Sequence, residues 1–149
     1  MTLANILTKS AALEEANKAV LGIKHAYDDS PEAIGLGYFP SAIRYPRSGD
    51  FEHSRGLGRH NIHHFIIEVH IERGRPGGLA ECEKRARVLV EKYQNLYAGN
   101  LSISGSCDVS GFDKPSWEYG YLEWGDVTTI GVRFYMWAKE MLDAITVNL

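Results

Sequence analysis

The chain has 149 residues, the size of one domain built on one core. Its 44% hydrophobic, 11% aromatic and 23% charged residues are ordinary globular usage and exclude a disordered chain. A formal net charge of -3 and a pI near 6.1 exclude a protein whose main task is to coat duplex DNA, which needs clustered excess cation.

Thr8, Lys9 and Ser10 interrupt the N-terminal segment too early for the apolar core of a secretory signal, and no run of about 18 apolar residues occurs. From Ser10 to Ile23, Leu13, Ala16, Val20 and Ile23 recur at helical intervals, with Glu14, Glu15, Asn17 and Lys18 on the wet side; this predicts an amphipathic helix ending near Gly22. Asp28 to Glu32 reads as a turn. Phe39, Ala42, Ile43 and Tyr45, bracketed by Pro40 and Pro46, read as a short strand near a sheet edge. Arg47 to Asn61 has three glycines, charges of both signs and almost nothing to bury, which predicts a long exposed loop.

Alternation then begins. Phe65, Ile67, Val69 and Ile71 fall on one face of a strand, and His64, Glu68, His70 and Glu72 on the other. After Gly74 to Gly78, a second helix is traced by Leu79, Cys82, Ala86, Leu89, Val90, Tyr93 and Leu96, with Gly99-Asn100 as its stop. Leu101 to Ser104 reads as a strand, and Gly105 to Trp117 as polar turns. Trp117 to Trp124 alternates, Gly125-Asp126 reads as a hairpin turn, and Ile130, Val132, Phe134, Met136 and Ala138 mark a closing strand whose other face carries Tyr135 and Trp137. The expected fold is α+β: a single domain over residues 1–149, with a mainly antiparallel sheet, two helices packed on one face, a long loop and a projecting hairpin.

The chemistry-bearing residues do not assemble into a catalytic signature. His53, His60, His63, His64 and His70 are dense enough to suggest zinc. Neighbours His63 and His64, however, point to opposite faces of a strand, and His64 and His70 lie roughly 20 Å apart at strand rise. No serine occupies a nucleophile elbow, Cys107 lacks a spaced partner, and neither Gly56-Leu57-Gly58 nor Gly74 to Gly78 has phosphate-loop spacing. Cys82 and Cys107 stand in unlike contexts and suggest no disulfide framework, as expected of a soluble chain made in a reducing cytosol. Glu118, Glu123 and Asp126 among Trp117, Tyr119, Tyr121 and Trp124 allow a glycosidase-like acid pair, but aromatic anchors with an acidic rim are better read as a binding surface. Arg44, Arg47, Arg55, Arg59, Arg73 and Arg75 read as a solvated rim, or as partners for acids on a second copy.

The run from Leu13-Glu14-Glu15-Ala16-Asn17-Lys18-Ala19-Val20-Leu21, through Tyr27-Asp28-Asp29-Ser30-Pro31-Glu32-Ala33-Ile34, to Phe39-Pro40-Ser41-Ala42-Ile43 resembles the opening of the tail terminator (tail completion) proteins of long-tailed bacteriophages. The similarity of element order covers roughly Leu13 to Ala138 and rests on spacing. It implies a non-enzymatic virion protein of the tail or neck, assembled in the host cytoplasm. Such a protein forms a hexameric ring on the tail tube protein, ends tube polymerisation and meets the head-side connector or stopper. The resemblance implies neither a cofactor nor a membrane, and a modest negative charge suits a lumen through which DNA slides without sticking. The candidate subunit or partner contacts are Arg47, Asp50, Glu52, Arg55 and Arg59 in the loop, Trp117, Glu118, Tyr119, Tyr121, Glu123 and Trp124 in the hairpin, and Tyr135 and Trp137 on the last strand. Two alternatives are a head-side neck protein and a small metal- or carboxylate-dependent enzyme using His60, His63 and His64 or Glu118 and Glu123. The histidine-rich segment is not part of the family pattern.

Overall fold

The computed structural model describes residues 2–31, 36–54 and 58–143. They form α1 (Leu3–Ala16), α2 (Lys18–Leu21), β1 (His25–Ala26), a 3-10 turn (Leu36–Tyr38), β2 (Ser41–Ser54), β3 (Gly58–Arg73), α3 (Gly78–Ala98), β4 (Val109–Trp124) and β5 (Val127–Asp143). The strands make one five-stranded sheet in the order β1-β2-β3-β5-β4, antiparallel except for the short β1–β2 pair, so the fold is α+β as expected. Among the described residues no helix is long and apolar enough to cross a membrane.

The first helix differs from its expectation in extent and in facing. The Thr2 hydroxyl caps it by accepting from the Asn5 N–H at 3.1 Å, so it begins at Leu3. It breaks at Asn17, whose amide bonds back to the Leu13 carbonyl, and α2 ends at Gly22, where φ of 77° suits a residue without a Cβ. Its buried face is Ile6, Leu7, Ser10, Ala11 and Glu14, while Ala16 and Val20 are exposed. The spacing is helical on either reading, but two of the buried positions are polar.

Phe65, Ile67, Val69 and Ile71 of β3 and Ile130, Val132, Phe134, Met136 and Ala138 of β5 join Ile6 and Leu7 of α1 and Cys82, Ala86, Leu89, Tyr93 and Tyr97 of α3 in one core. Tyr93 stacks on Phe134 with centroids 4.7 Å apart. This is the face of the sheet that the helices bury. The other face is called the far face below.

Three further expectations are corrected. In its described part Arg47 to Asn61 is not a loop: β2 and β3 stay in register from Ser48↔His64 to Ser54↔Gly58, and β5 follows β3 out to Gly58↔Asp143, making a three-stranded arm; residues 55–57 lie outside the described residues. Ladder bonds come from the backbone and need no apolar side chains, so a composition-based reading misses them. A bulge at Arg47 follows Pro46, which has no N–H to give the ladder. Leu101 to Ser104 is a series of turns with Ile103 and Ser104 at positive φ, held by the fully buried Ile103 side chain. The hairpin does not project: β4 pairs with β5 from Val109 to Trp124, interrupted by an outward bulge at Asp113 to Ser116, and closes through Gly125 at φ 57°. Leu122 and Trp124 are buried, and that burial holds the hairpin against the rest of the fold.

Candidate functional site

Arg44, expected on a rim or against another copy, is instead buried within its own chain. Its guanidinium gives Nη2 to Glu14 Oε1 at 2.8 Å and Nη1 to Glu14 Oε2 at 2.5 Å, and Nε to the Tyr27 carbonyl at 2.8 Å. Tyr93 and Tyr97 donate their hydroxyls to the same carboxylate, and Ser10 also contacts Arg44. Burial works to discharge Arg44, but the adjacent Glu14 more than offsets it and holds the guanidinium charged. With every polar atom partnered internally, this network fastens α1 to β2 and offers no open chemistry.

The far face is different in kind. At its centre Glu68 accepts from the Tyr45 hydroxyl at 2.7 Å and from Arg133 Nε at 2.9 Å, and its Oε1 lies 3.1 Å from His70 Nε2. Burial would raise the Glu68 carboxyl, but hydrogen bonds from His70, Tyr45 and Arg133 outweigh it and hold the carboxyl below its ordinary value. Burial and the Glu68 carboxylate together push the Tyr45 phenol up. The His70 ring lies 4.8 Å from the Trp124 ring, and Trp124 Nε1 donates to the Pro31 carbonyl, so the segment after β1 crosses this end of the face.

Toward the arm, the far face opens to solvent. Tyr135 donates to Glu118, and the Arg47 guanidinium lies 5.1 Å from the Tyr135 ring centre. The bulge in β4 brings Asp113 to within 2.9 Å of His64 Nδ1 and 3.8 Å of Arg47, and Asp50 lies 4.0 Å from the other nitrogen of His64. Trp137 lies across Gly111, where a Cβ would come within 2.8 Å of the indole. The sheet therefore presents a row of mixed charge and aromatic rings, half-buried and, among the described residues, without helical cover, continuous with the arm.

The candidate residues are divided between two faces. Arg47, Asp50, Glu118, Tyr135 and Trp137 come together on the far face. Glu52 is exposed on the arm opposite His60. Arg59 pairs with His53 through its backbone, and Arg55 lies outside the described residues. Because β4 alternates, Trp117, Tyr119 and Tyr121, in register with Phe134, Val132 and Ile130, face the helix side. Trp117 is exposed beside Arg87 and Val90 of α3, and Tyr119 donates to the Leu79 carbonyl at 2.6 Å. Glu123 is exposed, but Trp124 is 5% exposed and cannot be a contact residue: its indole is taken up by Tyr27, His70 and Pro31. Tyr45, Glu68, Asp113 and Arg133 were not singled out. The alternation already placed Glu68 with His64, but its pairing with Arg133 needed the β3–β5 register.

His63 and His64 do point to opposite faces. His63 meets buried Glu140 at 3.2 Å on the helix side, while His64 meets Asp113. Among the described residues no three His, Cys, Asp or Glu side chains converge as metal ligands would. Both thiols are buried. Burial, with Asp108 and Glu140 nearby, pushes Cys107 up to about 11, and burial also raises Cys82, so neither is an activated nucleophile. What this face offers is two half-buried aromatic rings, Tyr135 and Trp137, rimmed by Arg47, Asp50 and Glu118, a composition common in protein contacts. No protein-family model matches the chain, and no curated protein sequence matches it.

Proposed function

We propose that the chain is a ring-forming structural protein of a long-tailed phage, a tail terminator: six copies cap the tail tube, stop its growth and present their other side to the head connector. The observation that carries this reading is the arm. Three strands, β2, β3 and β5, run on past the helix-covered core, with Phe51 78% exposed on the outer one. A solitary domain gains nothing from an exposed phenylalanine on the edge of such an extension, whereas a subunit that must grip its neighbour does. The far face, with Arg47, Tyr135 and Trp137, adds a second patch, and a heterologous ring needs two unlike patches per copy.

The test uses a tail tube protein from the same genome as this chain. Tubes polymerised with and without the protein are measured by negative-stain imaging. The proposal expects an extra ring of density at one tube end and shorter tubes as the protein is added. Tubes of unchanged length with bare ends would overturn it.

A further inference from the structure

At the end of the sheet opposite the arm, α2, β3 and α3 leave an open groove of about 440 Å³. Its floor is apolar, with Leu21, Ile71 and a half-exposed Val88, and its rim carries Lys84, Arg85 and Lys92. Arg85 is engaged by Glu72 at 3.3 Å, but Lys84 and Lys92 have no salt-bridge partner among the described residues. The arm has the complementary composition. Phe51 is the most exposed large apolar side chain among the described residues, and it stands between Asp50 and Glu52.

A chain cannot join these two features within itself. Phe51 pairs with Asn61, and Ile71 in the groove floor is ten residues further along the same strand, roughly 33 Å away at strand rise. Between them β3 is paired backbone on both sides. Any union of arm and groove is therefore between copies, and it is head to tail: arm of one against groove of the next. Contacts of that type close into a ring or extend into a filament, according to the rotation between copies.

We infer that Phe51 of one copy seats in the Leu21, Ile71 and Val88 groove of its neighbour, with Asp50 and Glu52 held by Lys84 and Lys92. Strand alternation sends the phenyl ring into the groove and both carboxylates to the outer side of the ribbon. The long lysine stems reach them from the rim. This deepens the ring reading, and rests on it, by naming the contact that links the copies.

The test is a mixed cross-link. Purified Glu52→Cys protein, which keeps the Phe51 ring, is combined with purified Lys84→Cys protein and a short bismaleimide cross-linker, with Leu101→Cys, also on the surface, replacing Lys84→Cys as the control pairing. All three positions are exposed, so folding is kept, and a thermal melt of each variant checks it. The expected result is a cross-linked dimer of the two variants, at least tenfold above the control. Asp50→Lys with Glu52→Lys is expected to weaken self-association at least tenfold, and Lys84→Glu with Lys92→Glu in a second protein to restore the pairing. Oligomers of native size with no cross-link above control would overturn the arm-in-groove contact and leave the ring reading standing. A monomer at every concentration, without cross-link, would overturn both.

Discussion

Glu14 and Arg44 decide each other's position. Each is fully buried, and neither would be tolerated there without the other, since an unpaired buried charge costs several kcal/mol. Glu14→Ala is expected to destabilise the fold by about 3–5 kcal/mol in urea denaturation, and Glu14→Leu combined with Arg44→Met to recover most of that loss. If Glu14→Ala cost less than about 1 kcal/mol, the pair would not be what fastens α1. Glu68 makes a pH-dependent contribution. Its folded-state value lies below the ordinary 4.5, so the unfolded chain binds the extra proton first. The stability it supplies is present above pH 4.5 and is lost as pH falls through the lower folded value. Glu68→Gln should flatten the acid limb of the stability curve while leaving its neutral shape alone; an unchanged limb would remove Glu68 from the account. The cysteines give a third check at this scale. With Cys107 pushed up to about 11 and Cys82 buried, a thiol reagent at neutral pH should label the native protein on the order of a hundredfold more slowly than the unfolded chain.

At the scale of elements, the readings that held were those with an unbroken apolar rhythm. Phe65 to Ile71 and Ile130 to Ala138 alternate cleanly and are strands, and Cys82, Ala86, Leu89 and Tyr93 mark the buried face of α3. The readings that failed did so where burial and polarity part company. Ser10 and Glu14 lie on the inner face of α1 because Arg44 meets them there, and a search for apolar residues turns the helix the wrong way. The arm reads as loop in the sequence because nearly all of its side chains are polar or glycine, yet its ladder is made of backbone. Under the proposed ring, Phe51 contributes to association rather than to folding. Phe51→Ser should change unfolding free energy by no more than about 0.5 kcal/mol, as exposed substitutions do, while sharply lowering the oligomer fraction in sedimentation. A large loss of stability would place Phe51 in the domain's own packing instead.

For the molecule as a whole, the α+β class was legible because helices and strands each carry their own period. The candidate surface was legible only in part. Arg47, Asp50, Glu118, Tyr135 and Trp137 do share one face, but Trp117, Tyr119 and Tyr121 lie on the other, and Trp124 is buried. Single-strand alternation assigns residues to sides of their own strand. Which side of β4 joins which side of β3 depends on a register set through β5 and on the bulge at Asp113 to Ser116, and no local pattern in the sequence encodes it. The resulting molecule has an arm at one end of its sheet, a cationic groove at the other and an aromatic, charged face between them. The most direct test of its proposed role is the mass of the assembled protein, measured by native mass spectrometry across a range of concentrations. The account predicts a closed species of six 16.7 kDa chains, about 100 kDa, with no larger members in series. A single-chain species at every concentration, or an open ladder of sizes, would contradict it.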